Sequence, residues 1–223
     1  RRGAPYSISI EAVREFKVVT NQYDVTFGRA GGGTVSAVTK SGTNTFTGSA
    51  FEYARANELT SRYDIRGNKR ADNYSTNQFG FTLGGPIIKD KLHFFVAWDH
   101  QSDKRSLIIA DVQSPVDENR FNITRQTLDS IVLIGRQYYG LSEDRPQYGS
   151  FPKKRSSDAA FLRLDWQINE KNLLTLRDNF TNDVNKLGLI DNTAINLYES
   201  AANNFSFDNS LLLTLRSAIS PRL

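Results

Sequence analysis

The reading turns on Gln78-Phe79-Gly80-Phe81-Thr82-Leu83-Gly84-Gly85-Pro86-Ile87-Ile88-Lys89-Asp90-Lys91-Leu92-His93-Phe94-Phe95-Val96-Ala97-Trp98-Asp99. Phe79, Phe81 and Leu83 alternate with Gln78, Gly80 and Thr82, the period of a strand with one apolar face. Leu92, Phe94, Val96 and Trp98 share a face in the same way. Between the runs, Gly84-Gly85-Pro86 predicts a tight turn ending near Asp90. The stretch therefore reads as an antiparallel hairpin, apolar on one side and polar on the other.

The same period recurs outward from it. Ala160, Leu162, Leu164, Trp166 and Ile168 alternate with polar residues, as do Leu174 and Leu176, and Leu211, Leu213 and Leu215. Phe51 and Tyr53 make a weaker case. Six strands are predicted, at about 45–56, 75–85, 91–102, 158–168, 172–183 and 204–218. Their connectors alternate in length: 57–74, 103–157 and 184–203 are long, whereas the turn near 84–90 and Asn169-Glu170-Lys171 are short. All six prolines (5, 86, 115, 146, 152 and 221) fall outside the predicted strand cores, where they would break a ladder. Short turns on one side and long loops on the other are the rhythm of an outer-membrane β-barrel. A soluble β-sandwich also alternates, but compact soluble domains rarely carry a connector of ~50 residues. Inside 103–157, Leu128, Ile131, Val132, Gly135 and Tyr138 recur near helical spacing. They predict a loop helix over 122–139, started by Asp117 or Asn122 and ended by Gly140.

The first 44 residues differ. Two strands, at 12–20 and 34–39, flank Gly28-Arg29-Ala30-Gly31-Gly32-Gly33, and the polar linker Lys40-Ser41-Gly42-Thr43-Asn44 follows. The glycine run has neither phosphate-loop nor dinucleotide spacing. It reads as a turn whose glycines permit positive φ or close backbone approach.

Composition narrows the function. The chain has 223 residues, no Cys, no Met, two His and a net charge of +4. A disulfide framework, a Cys zinc site, an iron–sulfur cluster and a Cys nucleophile are excluded. No apolar run approaches the ~18 residues of a transmembrane helix. The mild charge argues against nucleic acid as a partner. His93 and His100, seven apart on one strand, face opposite sides, and His100 beside Asp99 has no partnering nucleophile. No G-x-S-x-G is present. No convergent catalytic or metal-binding set emerges, so neither an enzyme nor a cofactor is expected.

A family resemblance rests on motifs in order. The first is Ile10-Glu11-Ala12-Val13-Arg14-Glu15-Phe16-Lys17-Val18. Tyr23, Phe27-Gly28, Gly31-Gly32-Gly33-Thr34-Val35 and Val38-Thr39-Lys40-Ser41-Gly42-Thr43 come next. Phe46-Thr47-Gly48-Ser49-Ala50-Phe51-Glu52-Tyr53 and the hairpin quoted above complete the set. Together they resemble the Oar-like branch of TonB-dependent transporters, at the passage from plug to barrel. The resemblance implies a plug inside a 22-stranded barrel, in the bacterial outer membrane. It also implies a TonB-type coupling protein that pulls on an N-terminal box absent from this sequence. On this reading the fold is all-β, with 1–44 the C-terminal part of a plug and 45–223 the N-terminal part of a barrel. The chain is then a fragment of a transporter for energy-coupled uptake or export of a large substrate, and the absent Met agrees. Six strands do not close a barrel, so the alternative is a structural or interaction protein. Its open edges would pair with copies of itself or a partner chain.

Three sets of site residues follow. Gly28, Arg29, Gly31, Gly32 and Gly33 are expected to turn the plug against the barrel wall. Tyr53, Phe79, Phe94, Trp98 and Trp166 are expected to form aromatic girdles at the membrane interfaces, with Trp98 near a loop end and Trp166 near a turn end. Arg62, Arg66, Lys69 and Arg70, then Lys104 and Arg105, then Lys153, Lys154 and Arg155, are loop cations. Their candidate partners are lipopolysaccharide phosphates or another anionic ligand, the plainer reading being solvated charge.

Overall fold

The computed structural model describes residues 9–19, 34–61, 63, 74–189 and 196–219. A short 3-10 turn, Ile10–Ala12, leads into β1 (Val13–Val19), which pairs antiparallel with β2 (Thr34–Thr39). The second sheet is a six-stranded meander. Its strands are β3 (Thr47–Ala56), β4 (Tyr74–Ile88), β5 (Leu92–Ile109), β6 (Gly149–Asn169), β7 (Asn172–Leu189) and β8 (Ala202–Ser217). Spatial order equals chain order and every pair is antiparallel. The sheet is open: β3 and β8 are its two ends.

The ladder assigns the faces, because residues directly opposite one another point to the same side. One row runs Phe81, Trp98, Ala160, Phe180 and Asn209; the next runs Leu83, Val96, Leu162, Asp178 and Leu211. This apolar face is open to its surroundings: Leu211, Leu213 and Leu215 are 67%, 63% and 60% exposed. A sheet face this apolar, left uncovered, requires a non-aqueous medium or a partner. The other face carries Thr82, Gln101, Arg163, Asp165, Thr175, Arg177 and Ser210. Phe95, Ala97, Phe161, Thr82 and Thr181, all of this face, are buried.

All six wall strands form, and five of them, β4 to β8, outrun a predicted end. β5 continues to Ile109 and β6 begins at Gly149, so the connector expected at 103–157 shrinks to 110–148. Beyond the apolar rows β5 runs through Asp103–Ser106 and then the unbroken apolar run Leu107-Ile108-Ile109, and β6 opens on mostly polar residues around Phe151, so neither extension shows period-2 alternation. Two prolines consequently fall inside strands. Pro86 lies at a register shift where β3 no longer flanks β4, and Pro152 precedes Arg155, the first β6 residue paired with β7. Each proline thus has a ladder partner on the β5 side only, the edge-like position in which proline is tolerated. The β4–β5 turn is residues 89–91, with Asp90 left-handed at φ 63°; Gly84-Gly85-Pro86 belongs to β4. Those glycines serve space rather than turning. A Cβ at Gly85 would fall 2.4 Å from the Phe46 ring.

The long connector holds two helices instead of one. α1 (Pro115–Phe121) is capped by Ser114 and α2 (Arg125–Tyr139) by Thr124. Asn122, expected to start a helix, ends α1 in a left-handed C-cap at φ 52°, a conformation Asn tolerates well. Gly140 ends α2 as predicted, at φ 71°.

Candidate functional site

The N-terminal hairpin is fastened to the polar face of the wall. Ala12 is fully buried in one cluster with Phe95, Ala97 and Phe161; the two rings lie 6.3 Å apart. The Lys40 amide donates to the Ala12 carbonyl at 2.8 Å, and Lys40 approaches Glu11 at 3.7 Å. Period-2 alternation places Arg163 and Asp165 on this same face, and the ladder sets Thr175 opposite Asp165. The Arg163 guanidinium donates twice to Asp165, at 2.8 and 3.0 Å. Its third nitrogen reaches the carbonyl and hydroxyl oxygens of Thr39, both at 3.3 Å. Asp165 also accepts from the Thr175 hydroxyl at 2.8 Å. One planar fork thus joins the end of β2 to β6 and β7, the geometry for which Arg is suited.

The linker behind Thr39 lies flat on the β4–β5 hairpin. A Cβ at Gly42 would fall 2.2 Å from the Phe94 carbonyl oxygen, so only glycine fits. Asn44 accepts from the Asp90 amide at 2.8 Å, donates to its carboxylate at 2.5 Å, and lies 2.8 Å from Nε2 of His93. This triplet stabilises the left-handed Asp90 of the turn.

At the long-loop end the ladder opposes cations directly. Lys104 faces Lys154 and Arg105 faces Lys153. The four line a cavity of about 460 Å3, together with Tyr74 and Glu58. Arg155 is neutralised by a bidentate pair with Asp183, at 2.8 and 3.0 Å, and Arg105 by Asp103 at 3.0 Å. Beside them, two long loops are locked together. Gln147, 1% exposed, donates to Glu199 at 2.9 Å and accepts from the Glu199 amide at 3.3 Å. The Phe151 and Tyr198 rings meet at 4.6 Å. In the same loop the Tyr148 hydroxyl donates to Asp129 and is held above its usual pKa by that bond. Asp117 is held below the usual carboxyl range by hydrogen bonds from the Ser114 hydroxyl and the Gln113 amide.

The sequence-predicted site residues divide. Gly28, Arg29, Gly31, Gly32 and Gly33, and Arg62, Arg66, Lys69 and Arg70, lie outside the described residues. Phe79, Phe94, Trp98 and Trp166 share the apolar face. Tyr53 does not: it pairs with Gln78, beside Thr82 on the polar face, and its ring meets Phe51 at 5.4 Å. A girdle role for Tyr53 therefore fails, because aromatic alternation in β3 is half a period out of phase with β4. Trp98 is mid-strand in β5, not at a loop end, since β5 runs on for eleven residues. His100 bonds Asp158 across the ladder at 2.8 Å, not its neighbour Asp99. Lys153 and Lys154 are brought to Lys104 and Arg105, while Arg155 turns to Asp183. The Arg163–Asp165–Thr39 fork was missed. An Arg two residues from an Asp on one polar strand face was its available signal.

An open antiparallel wall with one uncovered apolar face and one polar face holding a packed hairpin has the two-sided character of part of a membrane β-barrel. A family model described as Outer membrane beta barrel domain matches residues 38–120, and the chain resides in the bacterial outer membrane. More narrowly, it is a relative of the Oar-like TonB-dependent transporters. Over 148 residues it is 35% identical to the TonB-dependent transporter Oar of Myxococcus xanthus. The alignment covers 59% of this chain and 13% of that protein. No solved structure matches the chain.

Proposed function

We propose that this chain supplies the plug-to-barrel passage of an energy-coupled outer-membrane transporter for a large substrate. Residues 1–44 would be the end of the plug, and 45–223 the first six strands of the wall. The observation that carries this reading is the Arg163 fork above the Ala12–Phe95–Ala97–Phe161 cluster. It ties an internal hairpin to the face that a closed barrel turns toward its lumen. The fastening has a mechanical logic. It is one polar fork and a small apolar cluster, so a pull from a TonB-type partner breaks a few bonds and leaves the ladder of wall hydrogen bonds untouched. On the outer side, Phe79, Phe94, Trp98 and Trp166 would sit against lipid. Trp98 and Trp166 are about six residues apart in the ladder, or roughly 20 Å along a strand, close to the ~25 Å apolar band.

The test uses the full-length protein. Removing everything through residue 40 should leave a barrel that inserts in the outer membrane but conducts ions in planar bilayers and admits large antibiotics. An inserted barrel that stays as impermeable as the intact protein would overturn the plug assignment.

A further inference from the structure

From the Trp98 row to the Trp166 row, the apolar face of β3 to β8 carries no charged or amide side chain except Asp178 and Asn209. Asp178 stands two residues from the Trp98 row and four from the Trp166 row. Along a strand this places it about 7 Å inside the first aromatic row and about 13 Å inside the second. Its carboxylate accepts from the Asn209 amide at 3.0 Å. Among the described residues no Lys, Arg or His lies within ion-pair distance of it, and Arg177 belongs to the opposite face. A carboxylate that faces lipid is costly, and its place in a wall marks a contact that takes it out of lipid. The pair is also incompletely satisfied. The Asn209 amide has two N–H groups and uses one, and the carboxylate has two oxygens and uses one.

We propose that the apolar faces of β7 and β8 pair two copies of the protein within the membrane, Asn209 of each copy donating to the partner's Asp178. One spare donor beside one spare acceptor is complementary to the same pair turned through a two-fold axis. The four side chains then close a ring of amide–carboxylate hydrogen bonds. A foreign segment presenting a cation would satisfy Asp178 but leave the spare Asn209 N–H without an acceptor, whereas a second copy uses both. Apolar contact alone does not select a partner here, because acyl chains are as apolar as leucine; polar side chains and close packing do. Leu211 and the edge-to-face rings of Phe180 and Phe207, 5.4 Å apart, would pack around the ring of hydrogen bonds. The pairing rests on the outward orientation of this face in the proposed barrel.

The experiment reconstitutes the full-length protein in lipid vesicles and counts copies by single-molecule photobleaching over a range of protein-to-lipid ratios. The intact protein should pass from one copy to two as the ratio rises. Asp178→Leu/Asn209→Leu should weaken pairing at least tenfold. Asp178→Asn/Asn209→Asp, which exchanges donor and acceptor, should pair within threefold of the parent protein. Leu83→Ala, on the same face but three strands from Asp178, should leave pairing unchanged. An intact protein that stays single at every ratio would overturn the proposal, and so would pairing that survives the double leucine variant undiminished. A fluorophore attached at Val96→Cys, with brominated acyl chains as quencher, tests the orientation separately. Quenching in a protein that does not pair refutes the pairing and leaves the transporter reading standing. A fluorophore that bromine does not quench refutes the outward orientation, and the pairing with it.

Discussion

Replacing Arg163 with Met tests the fastening of the hairpin to the wall. Arg163 and Asp165 are 22% and 13% exposed, so the pair is largely but not wholly withdrawn from solvent. Removing one partner of a fully buried pair costs about 3–5 kcal/mol. Residual exposure and lumen water reduce that toward about 2 kcal/mol. Asp165 keeps the Thr175 hydroxyl, whereas the Thr39 carbonyl and hydroxyl lose their shared donor. The loss should appear locally. In native-state hydrogen exchange of the full-length protein, amides of β1 and β2 should exchange about thirtyfold faster, since ~1.4 kcal/mol is a factor of ten. Amides of β6 and β7 should change far less, because their ladder is intact. The Arg163→Met/Asp165→Leu pair should recover much of the loss by removing the stranded carboxylate with its partner. Exchange in β1 and β2 that stays within twofold of the parent protein for Arg163→Met would refute the fork as the fastening.

Three further outcomes follow from the same geometry. Gly42→Val should lift the linker from β5, since its Cβ would sit 2.2 Å from a backbone oxygen; a drop of at least 5 °C in the hairpin's melting, with Asp90 amide protection lost, checks it. Gln147→Leu should cost about 1–3 kcal/mol of loop stability by stranding buried polar groups, and limited proteolysis should then cut near 142–148 and 196–201 while the wall survives. Asp117 has a folded pKa below its ordinary 3.8, so its contribution to α1 is complete above that value and lost as pH falls below it. Carboxyl-resolved NMR should show a titration displaced downward, and Ser114→Ala should move it back toward 3.8.

Much of the wall was legible because period-2 alternation is a direct consequence of strand geometry. The apolar-face series Phe79, Phe81 and Leu83, and Leu211, Leu213 and Leu215, could be named from spacing. Where that signal stopped, the reading erred. The extensions of β5 and β6 carry no period-2 alternation, since Leu107-Ile108-Ile109 is an unbroken apolar run, and Gly84-Gly85-Pro86 resembles a turn although its glycines admit Phe46 and the linker. Asn122 is equally suited to start or end a helix, and only its left-handed φ chooses between them.

The sequence by itself determined the strand period, the apolar face, the short and long connectors and the cationic character of the loop end. These are properties of neighbours along the chain. The tertiary structure decided what faces what across it. A register offset of one residue sends Tyr53 to the polar face, away from Phe79. Strand pairing sets Lys104 against Lys154 and gives Arg155 its Asp183. Folding over more than a hundred residues brings Thr39 to Arg163. Register and long-range contact depend on the whole sheet, and no local pattern encodes them.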